Sequence, residues 1–421
     1  MTYHVNRNPK ETRIVITGLG TINPIANTVD EFWENLIAGK NGIRKVQHHD
    51  LGDFIVQIGG EVDVPDLTGI MHKKWLKRLD RYIIFGNYAA TKALIDSGIS
   101  EEEIEANPHR YGAIIGTGDA GLDLSHKMSK NIYEKGLDYV SAFYIVGKVP
   151  NTPPGFFAKE HNFQGPNYSV SSACATSNHA IGTAAMLIKM GMADVVMAGG
   201  TEGVVVPSAI AAFAKIMALS QRNDSPETAS RPFDKDRDGF ILGEGSGVIC
   251  LEELEHAKKR GAKIYAELTG IGFSCDAYDL VAPHPEGRGA QISMKSALEN
   301  AGMGIEDIDL INAHGTSTPM GDKIESLAIE SLFGNEVPVH STKSMIGHLV
   351  GAAGGTEAIA GVLAIQKNVI HPSINIFELD PDVNINVVAN KPMEKKITNV
   401  LSNSFGFGGQ NSTIIISEFK D

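Results

Sequence analysis

The chain has 421 residues, 42% of them hydrophobic and 21% charged, with 45 glycines. That composition excludes a disordered or coiled-coil protein and fits a compact α/β protein, built as two or three domains or as one duplicated unit. A net charge of −13 without a basic, aromatic-interleaved stripe argues against nucleic acid as a partner, and no apolar run approaches the roughly 20 residues of a membrane span.

Residues 1–11 are polar and lack the apolar core of a signal peptide. The three cysteines, Cys174, Cys250 and Cys275, make no disulfide framework. Both features predict a cytoplasmic protein. Residues 13–20 read as a buried strand ending in a glycine turn, and residues 28–37 as an amphipathic helix with Thr28 as N-cap. Residues 76–96 predict one long helix, entered through a basic cluster that includes Lys74, Lys77 and Arg78. Taken alone, such a cluster is a solvated helix face. Residues 111–115 predict a strand running into Gly116-Thr117-Gly118-Asp119-Ala120-Gly121. This matches G-x-G-x-x-G, but it lies deep in the chain with no ribose-binding acid at the right offset, so it is a weak nucleotide signal.

Residues 168–170 read as a strand and residues 178–190 as a helix. Cys174 stands at the corner between them. A helix N-terminus offers unpaired N–H groups and a positive dipole end, which favour thiolate over thiol. A nucleophilic cysteine needs that, although a lone cysteine is more often a buried structural residue. Residues 194–200 predict a parallel strand that completes a crossover unit. A glycine-rich stretch, a strand at 248–251 and a charged helix at 252–261 follow.

A second round begins there. Residues 264–272 echo the first strand and its glycines. Residues 291–301 are helical, and residues 308–314 form a strand ending in His314. A strand-like run at 337–343 ends in Lys343 and leads through His348 into a small-residue helix at 349–366. The order repeats that around Cys174. It predicts two halves joined near Arg260, related by a pseudo-twofold axis, with His348 opposite Cys174. A glycine-dense loop near Phe407 precedes the last strand and lets backbone N–H groups approach a ligand. Cys174, His314 and His348 would also make a zinc set, but C-x-x-C and H-x-x-x-H spacings are missing.

Four stretches carry a resemblance: Ser-Ala-Cys174-Ala-Thr-Ser, Asn-Ala-His314-Gly-Thr-Ser-Thr-Pro-Met-Gly-Asp, Lys343-Ser-Met-Ile-Gly-His348-Leu-Val-Gly-Ala-Ala-Gly-Gly and Asn403-Ser-Phe-Gly-Phe-Gly-Gly-Gln-Asn411. With residues 230–240, they resemble the β-ketoacyl-acyl-carrier-protein synthases, in particular the elongating synthase II, from Arg13 onward. The resemblance implies an α/β thiolase-like fold of two duplicated halves in five α/β/α/β/α layers. Residues 12–260 would hold the nucleophile, and residues 261–421 the two histidines and the lysine. It implies no cofactor, a homodimer, and acyl- and malonyl-loaded carrier protein as partners. Cys174 would take the acyl group, His314 and His348 would stabilise the enolate of decarboxylated malonyl-carrier protein, and Lys343 would organise their charges. Backbone N–H groups of Cys174 and Phe407 would form an oxyanion hole. Thr316 and Thr318 would hold pantetheine, Phe407 would gate the cysteine, and Phe213 would lie by the entrance. A monovalent cation near Asn312, Glu357 and Ser402 is implied by the resemblance alone.

Two histidines point away from the initiating synthase III, and Cys174 in place of glutamine points away from chain-length factors. Neither Cys250 nor Cys275 sits in the motif of a thiolase's second cysteine. The chain departs from the family's pattern in two respects. Asp119 stands where elongating enzymes have an apolar residue lining the acyl pocket; burying a carboxylate against an alkyl chain costs several kcal/mol, so Asp119 would shorten or polarise the substrate-binding pocket, or the loop would point it elsewhere. Lys74, Lys77 and Arg78 match part of the basic patch that meets the acidic carrier, but Asp138, Tyr139 and Met217 replace other basic residues. The alternatives are a specialised paralogue condensing a polar or aryl acyl group in secondary metabolism, and a non-catalytic partner subunit of the chain-length-factor kind.

Overall fold

The computed structural model describes residues 4–421; Met1–Tyr3 of the polar N-terminal stretch lie outside it. Eleven strands make the main sheet. In chain order these are β1 (Ile14–Ile22), β2 (Tyr111–Gly116), β3 (Asn167–Tyr168), β4 (Val195–Glu202) and β5 (Gly245–Glu253), then β6 (Ala266–Cys275), β7 (Leu310–Asn312), β8 (Pro338–His340), β9 (Asn386–Val387), β10 (Asn399–Gly406) and β11 (Gln410–Ser417). The spatial order is β9-β8-β7-β10-β11-β6-β1-β5-β4-β2-β3.

Read outward from the centre, β1-β5-β4-β2-β3 has the same pairing senses as β6-β11-β10-β7-β8. In each arm the first two pairings are antiparallel and the next two parallel. The arms meet only where Val15 and Ile16 of β1 pair with Glu267 and Ala266 of β6. This is the predicted duplicated, thiolase-like α/β architecture of five layers. The crossover around Cys174 is present, with β2 lying between β3 and β4.

The main helices are α1 (Arg81–Ser97), α2 (Leu122–Lys135), α3 (Thr176–Lys189), α4 (Arg288–Ala301), α5 (Pro319–Phe333) and α6 (Ala353–Lys367). Helices α1 and α4 cover the outer faces of β1 and β6. The glycines predicted to end the first strand lie inside β1 instead. A Cβ on Gly18 or Gly20 would fall 2.2 Å from the Ala93 carbonyl oxygen or 2.0 Å from that of Ala89 on α1. Gly270 and Gly272 of β6 meet α4 in the same way, which explains the echo between the two segments.

Helices α3 and α6 form the inner layer. Every residue of α6 from Ala353 to Ile365 is buried, so its stretch of small side chains reflects packing on all sides. Alanines of α3 and α6 share one core with Ile14, Ile16, Ile249 and Ile414. The helix predicted at 76–96 is broken: Lys73–Leu76 forms one short helix, and the next starts at Arg81. The N–H of Asp80 donates to Gly147 and its carboxylate accepts from Leu124, so Asp80 is held outside the helix.

Candidate active site

A short 3-10 turn precedes each inner helix: Ala173–Ala175 before α3 and Val350–Ala352 before α6. Both begin on a residue forced left-handed, Ala173 at φ 49° and Val350 at φ 44°. That strain is a recurrent mark of functional turns. It turns Cys174 out of the strand direction and into a cavity of about 440 Å³. The Sγ of Cys174 and one ring nitrogen each of His314 and His348 lie within 4.8 Å of one another.

His314 follows β7 on a loop fixed by buried Glu325, which accepts from the N–H groups of His314 and Gly315, each at 2.7 Å. His348 lies between Lys343 and the turn before α6. Its Nδ1 accepts from the Val350 N–H at 3.3 Å, so the proton sits on Nε2, which has no protein partner. The Nδ1 of His314 is likewise buried and unpartnered. The imidazoles meet edge to face at 5.2 Å. Burial, then the charge of Lys343, holds both well below the ordinary histidine range. Both are therefore neutral N–H donors, suited to a negative charge that develops at the cavity end.

Lys343 is 1% exposed and ion-paired with equally buried Glu357. The thiol of Cys174 differs from expectation. Burial pushes it up to about 12, against the charge of Lys343 and the N–H groups of Phe407 and Cys174, which favour the thiolate. The helix N-terminus is there, but desolvation outweighs it. Those two N–H groups converge because Gly406 lets the last loop close: a Cβ there would lie 2.6 Å from the Ser172 carbonyl oxygen. Thr316, Thr318, Phe213 and Phe407 line the cavity, whose walls are mainly apolar. The threonine hydroxyls are 3.0 Å apart, and the Phe213 and Phe407 rings are 6.1 Å apart.

Residues 11–257 match the family model "Beta-ketoacyl synthase, N-terminal domain", and residues 265–377 match "Beta-ketoacyl synthase, C-terminal domain". The chain belongs to the β-ketoacyl synthase family. It is 43% identical over 415 residues to the "3-oxoacyl-[acyl-carrier-protein] synthase 2" of Coxiella burnetii, covering 98% of this chain and 100% of that one. Among solved structures it is similar to the ishigamide ketosynthase/chain length factor (TM-score 0.91, 33% identity, covering 97% of this chain and 100% of that chain). It is also similar to a type II PKS ketosynthase in complex with its acyl-carrier protein (TM-score 0.88, 31% identity, covering 97% of this chain and 100% of that chain).

One expectation for this synthase needs correction. Asp119 is exposed and does not line the cavity. The loop after β2 turns its backbone N–H groups inward, onto Glu202, and its one carboxylate outward. His348 lies opposite Cys174 at the cavity end, while the residue at the matching place in the second turn is Gly351 and His348 precedes that turn.

Lys74, Lys77 and Arg78 are exposed and surround Trp75, with Lys74 at 5.0 Å and Arg78 at 5.9 Å from its ring. Asp138 and Tyr139 fall in a 3-10 turn after α2, and Met217 is 85% exposed at the cavity mouth. Asn312 donates to Ser402 at 3.1 Å, and the Oε2 of Glu357 is buried without a partner. These oxygen donors fit a hard monovalent cation. Glu202 and Glu325 escaped sequence reasoning. Glu202 had one signal, an acid ending an otherwise apolar strand; Glu325 had none beyond its place on the helix after His314. Among the described residues, no helix is long and apolar enough to cross a membrane.

Proposed function

We propose that this enzyme is an elongating β-ketoacyl-acyl-carrier-protein synthase of fatty acid synthesis. The observation that supports it best is the meeting of Cys174, His314 and His348 at the end of one apolar cavity. Cys174 sulfur attacks the thioester of an acyl-carrier protein. The S–acyl bond forms, the carrier thiol leaves, and the cysteine's proton ends on that thiol. N–H groups of Cys174 and Phe407 hold the carbonyl oxygen as it gains charge. Malonyl-carrier protein then enters with its pantetheine against Thr316 and Thr318. Loss of CO₂ leaves the bonding electrons on the α-carbon as an enolate, whose oxygen takes hydrogen bonds from neutral His314 and His348. The α-carbon attacks the acyl-Cys174 carbonyl, the thiolate leaves and is reprotonated from solvent, and the product is longer by two carbons. Lys343, neutralised by Glu357, favours the thiolate at both ends of the cycle.

Phe407, facing Phe213, gates the cysteine. Lys74, Lys77 and Arg78 meet the acidic carrier. Residues 12–260 and 261–421 form two domains, and the enzyme works as a cytoplasmic homodimer. Asn312, Glu357 and Ser402 would hold a monovalent cation through their side-chain oxygens; no step depends on it. Turnover of acyl- and malonyl-loaded carrier, followed by mass spectrometry, tests the reading, with cerulenin labelling of Cys174 alongside. A product two carbons longer and a label on Cys174 are expected. No label and no turnover would establish the non-catalytic partner role instead.

A further inference from the structure

Glu202 ends β4 at 0% exposure, yet no step above uses it. Both its oxygens are occupied. Oε1 accepts from the Thr117 hydroxyl at 3.0 Å and the Asp119 N–H at 3.3 Å. Oε2 accepts from the N–H groups of Gly118 at 2.8 Å and Gly351 at 2.9 Å. Two of these residues are glycines because nothing larger fits: a Cβ on Gly118 would lie 2.8 Å from Oε2, and one on Gly351 2.7 Å from Oε2 and 2.3 Å from the Gly118 nitrogen. One carboxylate thus joins the loop after β2, in the first half, to the turn before α6, in the second.

That turn carries Val350, whose N–H fixes Nδ1 of His348. The Gly351 carbonyl is held from the nucleophile's side, by the hydroxyl of Ser177 on α3. Gly351 is therefore gripped at its N–H by Glu202 and at its C=O by the helix that follows Cys174. The G-x-G-x-x-G stretch is accounted for by the same contacts, since its N–H groups point at a resident carboxylate rather than at a ligand phosphate.

We infer that Glu202 is a positioning residue for the condensing reaction, its carboxylate setting the His348 turn and the 116–121 loop against Cys174 across the boundary between the halves. The inference rests on the functional reading above. Burial pushes the Glu202 carboxyl up to about 8 while the four donors pull it down, and its charge opposes ionisation of Cys174. The thiol is faced by Lys343, Glu202, His314 and His348. Loss of the Glu202 charge therefore favours the Cys174 thiolate while loosening the turn that holds His348.

The test compares two readouts in Glu202→Gln and in Glu202→Asp: malonyl-carrier decarboxylation, and the pH profile of Cys174 alkylation by iodoacetamide. Gln keeps the span and loses the charge. Asp keeps the charge and cannot reach both halves. Decarboxylation is expected to fall about 10- to 100-fold in both, as for a misplaced catalytic group. The alkylation profile is expected to move to lower pH in Glu202→Gln and to stay in place in Glu202→Asp. Unchanged decarboxylation in the folded variants overturns the inference, as does a parallel loss of both readouts that tracks a lowered thermal midpoint. If neither variant folds, Thr117→Val removes one donor and leaves the carboxylate: decarboxylation slowed about threefold with unchanged alkylation supports the inference, and no change overturns it. Wild-type protein that does not decarboxylate malonyl-carrier at all would sink the functional reading instead, and the alkylation profile would still read the Glu202 charge.

Discussion

The turn at Ala173–Ala175 and the turn at Val350–Ala352 are built alike. Each opens on a left-handed non-glycine residue and runs into a buried helix, α3 or α6. Their middle residues differ. Cys174 looks into the cavity, whereas Gly351 is backed against Gly118 and Glu202. Duplication therefore supplied two equivalent helix N-termini, but only one has room for a side chain. The second turn contributes backbone, and the side chain it brings to the cavity is that of His348, which precedes it. The site is asymmetric because one helix N-terminus presents the Cys174 thiol to the cavity while its counterpart is held by Glu202 and Ser177.

The largest effect should come from emptying the first turn. Cys174→Ala leaves no acceptor for the acyl group, so condensation should fall by about a thousandfold or more. His314 and His348 remain, so malonyl-carrier decarboxylation should persist, measured as CO₂ release. Loss of both half-reactions would mean that the histidines depend on the thiol, and the division of labour between the turns would fail.

Filling the second turn should damage the fold before the chemistry. In Gly351→Ala the new methyl would stand 2.3 Å from the Gly118 nitrogen and 2.7 Å from Glu202 Oε2. Backbone cannot yield there as a flexible side chain could, so a loss of about 3 kcal/mol is expected from denaturant unfolding. A loss under about 0.5 kcal/mol would show that the turns are interchangeable after all.

The thiols sharpen the contrast at the next level down. Burial pushes Cys174 and Cys250 alike to about 12, but Cys174 lines the cavity with Lys343 favouring its thiolate, whereas Cys250 is packed in the core, where Arg260 favours its thiolate. Below about 12 the thiolate fraction of Cys174 grows with pH, so alkylation by iodoacetamide should rise about tenfold per pH unit from pH 7 to 10. Lys343→Met removes the main influence lowering that pKa, so the curve should move to higher pH and alkylation at pH 8 should slow. Cys250 should stay unlabelled until the protein unfolds. A wild-type curve that levels off near neutrality would show a thiolate stabilised beyond what burial permits here.

Much of this asymmetry was legible in the sequence. Cys174, His314, Lys343 and His348 each end a strand or precede a helix, and the order of elements repeats. What escaped depends on packing. The spacing of Cys174 shows a helix N-terminus, but not the desolvation that outweighs it. Gly18 and Gly20 look like a turn until α1 is laid on the strand. His348 lies opposite Cys174, but the order of residues does not show that Gly351 fills the matching place in the second turn. Glu202 belongs to no motif, because its partners include backbone N–H groups from segments 84 and 149 residues away.

Asp119 should give the smallest effect, and it compares two faces of one loop. The inward face is backbone: the N–H groups of Gly118 and Asp119 end on Glu202. The outward face is the Asp119 side chain, whose partial burial raises its pKa against the smaller, opposing effect of Lys148. Asp119→Ile leaves the inward bonds intact and removes a partly solvated carboxylate. Acyl chain-length preference, measured as turnover against carriers loaded with short to long chains, should stay within about twofold of wild type, as for a surface substitution. A shift toward longer chains would place Asp119 against the acyl group, in a pocket completed only when a second copy of the chain covers that face.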